Sequence, residues 1–207
     1  MPMQRVSLSA SASVQVPQDV LTMSLSTQRE GVDPQTVQSQ LKTALDTALA
    51  QARRAASDGL MEVQTGRFSL SPRHDRNGKL TGWQGTAELV LQGRDFARMG
   101  ETAGKLQTLT VANTSFGLTT EQRQSAQAQA QSQAIAQFRQ RAGEAAKSFG
   151  FSGYLLVDAN INAADFGGPR PGLMAMSARA AVDDSPVPLE AGLATVTVTV
   201  SGSVQLN

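Results

Sequence analysis

The residues that could do chemistry are few and far apart. His74 is the only histidine among 207 residues, and it sits with Asp75 in the polar run PRHDRNG. One imidazole and one carboxylate fall short of the ligand set of a zinc site, so His74 reads as a solvated turn residue. There is no cysteine, which removes disulfides, thiolate catalysis and cysteine metal sites. Serines are many, but none lies in a G-x-S-x-G elbow, and a lone hairpin histidine is a poor base for any of them. Neither phosphate-cradling glycine pattern occurs, G-x-x-x-x-G-K-[ST] or G-x-G-x-x-G. Asp165-Phe166-Gly167 spells the metal-binding triplet of protein kinases without their other motifs, and is read as a chance match. Asp183 and Asp184 are chain neighbours, which point apart, and calcium needs more oxygens at ordered spacing. No catalytic, cofactor-binding or metal residue is assigned, no cofactor is expected, and the protein is expected not to be an enzyme.

Two groups remain as candidates for binding. Trp83 is the only tryptophan; it reads as a half-buried anchor on a sheet, with a ligand-stacking platform as its functional alternative and hence as the candidate ligand contact. Leu173, Met174 and Met176 fall in a Gly- and Pro-rich stretch from Ala163 to Ala191. A structureless loop of that length in a compact domain is uncommon. Adaptable apolar residues there suit packing on a neighbouring surface, which makes these three the candidate oligomer contacts. Soft-metal binding or oxidant scavenging by the methionines is the weaker reading.

Composition excludes some partners. Formal net charge is +1, and 17% of residues are charged against 40% hydrophobic. With its basic residues scattered, the chain has no field to collect nucleic acid or an anionic membrane. No stretch approaches the roughly 20 apolar residues that span a bilayer. The opening MPMQRVSLSA lacks the apolar core of a signal peptide, which leaves a cytosolic protein or a chain that starts at its mature terminus.

The elements that would position these residues are legible as periodicities. Val6 to Val16 and Val20 to Arg29 alternate as strands, with Pro17-Gln18-Asp19 as a break. Asp33-Pro34 starts a helix whose stripe is Val37, Leu41, Ala44, Leu45, Ala48, Ala52 and Ala55, ending near Ser57. Leu60 to Ser71 and Leu80 to Gln92 form strands joined at Asn77-Gly78, a hairpin signal. Asp95 caps a short helix that buries Phe96, Met99, Ala103 and Leu106. Thr108 to Leu118 is a strand. Thr119 then caps a long helix ended by Gly150, whose stripe is Ala126, Ala130, Ala134, Phe138, Ala142 and Ala146, with Ile135, Ala145 and Phe149 beside it. Tyr154 to Asn162 and Leu193 to Leu206 are the last strands, Gly202 marking a bulge or bend. The class is α+β, a largely antiparallel sheet with helices packed on one face, in a single domain over 1–207.

These pieces, in this order, resemble the SIMPL-domain family of periplasmic immunogenic and oxidative-stress defence-like proteins. VSLSASASVQVPQDVLTMSLSTQREG looks like its opening strands around a Pro-Asp break. Gly59, Val63, Thr65, Ser71-Pro72, Gly82 and Trp83 fall where its central hairpin has them. FGLTTEQRQSAQAQAQSQA is similar to its entry into an alanine-rich helix, and PVPLEAG to its approach to the last strand. The resemblance implies an exported, periplasmic protein of the cell envelope that self-associates into a homo-oligomer, with no transmembrane segment, a peripheral association with the envelope and no attributed catalytic residues. A missing signal peptide departs from the full-length pattern. The first functional expectation is therefore a non-enzymatic, self-assembling envelope protein acting in envelope or oxidative-stress defence. The alternative is a binding module for a small apolar or peptide ligand near Trp83.

Overall fold

Each alternation and each helical stripe becomes one regular element. The computed structural model describes residues 4–166 and 189–207. In chain order the elements are β1 (Arg5–Pro17), β2 (Val20–Gly31), α1 (Pro34–Ala55), β3 (Met61–His74), β4 (Leu80–Gly93), α2 (Phe96–Lys105), β5 (Thr110–Gly117), α3 (Thr120–Ser148), β6 (Tyr154–Phe166) and β7 (Leu193–Leu206). The class is α+β, and the strands pair antiparallel. They divide between two sheets, ordered β1-β7-β6 and β3-β4-β2-β5. The described residues form two compact units: 4–18, 118–166 and 192–207 in the first, 19–117 and 189–191 in the second.

In the first unit α3 lies on β1 and β7. All six residues of its expected stripe are buried. They meet Ala10, Ala12 and Val14 of β1 and Val196, Val198, Val200 and Val204 of β7. Alanine leaves little side chain between helix and sheet, so the backbones approach closely. The Thr119 hydroxyl accepts from the Gln122 N–H at 3.3 Å and caps the helix. At the other end Gly150 takes a positive φ of 83°. Its N–H reaches the Lys147 carbonyl and that of Phe151 the Ala146 carbonyl, the paired closure that a left-handed residue permits. Phe149, expected beside the stripe, is instead 65% exposed. It is the C-cap, already outside the helical periodicity, and Phe151 packs against the core in its place.

Two expectations are corrected at β6 and β7. Gly202 is not bulged: β7 pairs with β1 without a break. The irregularity lies in the facing strand, between Leu156 and Asp158 of β6, where Val157 is the extra residue. A Cβ at Gly202 would stand 2.2 Å from the Asp158 carbonyl oxygen, so only glycine fits beside the bulge. The loop expected from Ala163 starts later, because Ala163 to Phe166 continue the ladder opposite Val198 to Thr195. The rest of that stretch as far as Pro188, with Leu173, Met174 and Met176, lies outside the described residues.

In the second unit α1 buries Val37, Leu41, Ala44, Ala48 and Ala52. One core joins Leu21, Met23 and Leu25 of β2 to Leu89 and Leu91 of β4, Met61 of β3, and Met99 and Ala103 of α2. Asp33 caps α1 by accepting from the Thr36 N–H at 2.7 Å and its hydroxyl at 2.6 Å. Asp95 caps α2 by accepting from the Arg98 N–H at 3.0 Å.

The alanine stripe sets a clear stability contrast. Ala134 is fully buried while Ala128 is exposed on the same helix. Ala134→Leu should overpack the helix–sheet contact and cost roughly 1–3 kcal/mol in urea melts. Ala128→Leu should stay within about 0.5 kcal/mol of the parent; equal losses would place the buried face elsewhere.

Candidate functional site

The sequence candidates for acid–base or metal chemistry are kept apart. His74 is exposed at the end of β3, opposite Leu80. The Asp75 carboxylate accepts from the N–H groups of Asn77 and Lys79 at 2.8 and 2.9 Å, so its oxygens close the hairpin turn. Among the described residues no group of three metal-ligating side chains comes together. Trp83 is half-buried and packs with Val37, Leu41 and Ala87 beneath α1, the place of a sheet anchor.

One polar cluster that sequence reading missed ties the first sheet together. Arg5 of β1 donates to the Ser203 hydroxyl of β7 at 2.8 Å from Nε and 2.5 Å from Nη2. Ser203, almost fully buried, donates to Asp158 of β6, which also pairs with Arg5. The Ser203 hydrogen bond, with Arg5 behind it, holds the Asp158 carboxyl below its usual value near 3.8. A carboxylate so stabilised is a weak base, and no imidazole is present to relay a proton. The cluster's chemistry is spent on joining three strands. No short-range signal could have revealed it, since its members are 45 to 198 residues apart in sequence.

Two cavities of the second unit are open to solvent. One, of about 580 Å³, lies between the end of α1 and α2, and is lined by Arg54, Arg98, Glu101, Thr102, Lys105 and Leu106 among others. Arg98 is held there by Asp95 and the Ala55 carbonyl. Another, of about 460 Å³, is lined by Arg29, Thr43, Thr47 and Thr108. The hydroxyls of those threonines already donate to the carbonyls of Ser39, Thr43 and Ala44.

The surface feature that stands out is the β6 edge. Leu206 N–H donates to the Gln4 carbonyl, and Gly153 and Asn207 exchange both backbone bonds. With antiparallel alternation, even-numbered residues of β7 therefore bond to β1 and odd-numbered ones to β6. The β6 partners of the even-numbered residues are Tyr154, Leu156, Ala159, Ile161, Ala163 and Asp165. Their backbone N–H and C=O groups face the open side. The side chains of Leu156, Ala159, Ile161 and Ala163 share the face of Val198, Val200 and Val204, the face α3 covers elsewhere. The helix reaches the start of β6, where the Tyr154 hydroxyl donates to the Arg139 carbonyl at 3.3 Å, but further along Leu156 is 58% and Ile161 44% exposed, with Leu155 and Val157 exposed beside them.

Among the described residues the other edges carry more protection than β6. The Arg141 side chain donates to the Ser9 carbonyl at 2.5 Å, and the β1 alternation puts that carbonyl on its open side. β3 is broken by a bulge between Thr65 and Phe68 and bears Arg67 and Arg73. β5 is only eight residues long. Charges, bulges and shortness are the usual means of blunting an edge. Beyond its own bulge, β6 runs regularly from Asp158 to Phe166.

Comparison with known proteins places this architecture. A family model, SIMPL, "Protein of unknown function (DUF541)", matches residues 6–204. The chain belongs to the SIMPL family. A comparison with curated proteins returned no match. Among solved structures the SIMPL chain is similar to one titled "The crystal structure of AtUAH in complex with glyoxylate", at 11% identity and a TM-score of 0.29, over 55% of this chain and 29% of that one. A likeness that low carries no argument about fold or activity. No helix among the described residues of the SIMPL chain is long and apolar enough to cross a membrane.

The cluster makes a pH prediction. Because the Asp158 carboxyl is lowered in the folded state, its stabilisation is complete above the ordinary carboxylate range and fades as pH falls through its lowered value. Asp33 and Asp95 are lowered by their capping hydrogen bonds and act in the same direction. Thermal melts should lose midpoint on acidification below about pH 4. Asp158→Asn should flatten part of that loss; an unchanged acid limb would show the cluster to be electrostatically idle.

Proposed function

We propose that this SIMPL protein is a non-enzymatic component of the bacterial cell envelope, resident in the periplasm, that works as a homo-oligomer in envelope or oxidative-stress defence. The observation that carries the assembly reading is the β6 edge, which bears exposed Leu156 and Ile161 and runs regularly beyond its bulge at Val157. An open strand with apolar side chains is a docking element by its nature. The non-enzymatic reading is supported by the Arg5–Ser203–Asp158 cluster, whose hydroxyl and carboxylate are engaged in joining strands. The periplasmic reading rests on the family resemblance.

Light scattering in solution tests the assembly. The protein should elute as an oligomer at concentrations of roughly tens of micromolar, the range of Kd near 1 μM and above that corresponds to modest association energies. A strict monomer across that range would overturn the homo-oligomer reading. Fractionation of cells expressing the full-length gene should recover the protein with periplasmic markers; recovery with cytosolic ones would overturn the compartment.

A further inference from the structure

We propose that two copies join through β6, strand against strand, about a twofold axis at Ile161, so that β1-β7-β6 extends into a six-stranded sheet. The proposal rests on the homo-oligomer reading above and names the surface and symmetry of the contact.

The backbone alternation selects this edge. Ala159, Ile161 and Ala163 present their N–H and C=O groups to the open side on every second residue, the spacing an antiparallel partner requires. A copy of the same strand supplies that spacing by symmetry, which makes the interface isologous and closed. With the axis at Ile161, the two Ile161 side chains meet on the apolar face. Ala159 then stands opposite Ala163, and their small size lets the isoleucines pack. Asp158 falls opposite Ala164, so no carboxylate faces another. A head-to-tail contact would instead need β1. There Arg141 occupies the Ser9 carbonyl, and the residues whose backbone faces outward belong to the serine face of the strand.

The remaining apolar surface fits the same partner. Leu156 and Ile161 lie on the face that α3 covers over β1 and β7. A second β6 alongside places Ala159, Ile161 and Ala163 of the copy around Ile161. The only charged side chain described on β6 is Asp158, and it is already engaged by Ser203 and Arg5. Nothing charged among the described side chains has to be desolvated when the strands pair.

The absence of cysteine gives a clean test in the full chain. Oxidation of an Ile161→Cys variant should give a covalent dimer, since facing residues of an antiparallel pair are within disulfide reach. Ser9→Cys on β1 should not. Ala163→Pro removes an open-side N–H that β7 does not use, and Ile161→Lys puts a charge at the axis. Each should raise the dissociation constant at least about tenfold, equivalent to 1.4 kcal/mol, with the circular dichroism melt retained. Should the proline variant unfold, the lysine variant decides. If the parent assembles while the thiol at 161 stays uncoupled and the lysine variant assembles as the parent does, the oligomer reading stands and the β6 pairing is wrong. If the parent is monomeric, both fall. A monomer whose thiol at 161 also resists maleimide would show the edge covered from within the chain.

Discussion

The first unit depends on the position of β7. The last strand of the chain is the middle strand of its sheet, bonded to β1 on one side and β6 on the other. Val196, Val198, Val200 and Val204 form the floor on which α3 rests, while Ser203 on the opposite face anchors Arg5 and Asp158. Remove β7 and the other two strands have no common neighbour. Its pairing with β1 joins residues up to 200 positions apart, so the chain must close its longest loop before the helix stripe has a sheet to cover. Contacts of that separation slow folding, and they make the unit's stability hang on the C-terminal residues.

The same strand explains why one edge is apolar. β7 divides its backbone groups by parity between two neighbours. On β1 the residues left facing outward are the serines, with polar side chains, and one of their carbonyls is taken by Arg141. On β6 the bulge at Val157 shifts the parity by one. Before it Leu155 and after it Asp158 bond to β7, and outward-facing Ala159, Ile161 and Ala163 carry apolar side chains toward the helix side. A single extra residue thus decides which side chains accompany the open hydrogen-bonding groups. Gly202 is the other half of that device, since any Cβ there would occupy the space of the Asp158 carbonyl.

Much of the local structure was readable in the residues. The caps at Asp33, Asp95 and Thr119 and the full buried stripe of α3 follow from spacing and side-chain chemistry alone. Alternation, however, reports which face of a strand is buried and not which strand lies beside it. Val6 to Val16 and Val20 to Arg29 read alike, yet they enter different sheets. Leu155-Leu156-Val157 breaks alternation and was a trace of the bulge, but it was legible only as part of a strand. The Arg5–Ser203–Asp158 cluster was hidden because its members become neighbours only once three distant strands are in register.

The exposed β6 edge and the buried cluster beside it are linked by the use made of one charge. A carboxylate directed along an edge is a common guard against unwanted strand pairing. Asp158 is the charged side chain on the described part of β6, and it points to the sheet face where Ser203 and Arg5 hold it. Its charge therefore strengthens the sheet and does not repel a neighbour along the open side. Arg141 does the reverse on β1, leaving the helix surface to occupy an edge carbonyl. Two ionisable residues of one unit are thus spent in opposite ways, one closing an edge and the other leaving an edge open. That asymmetry distinguishes the two ends of the sheet more sharply than hydrophobicity alone: among the described residues, the β1 edge has a carbonyl taken by a side chain and the β6 edge does not.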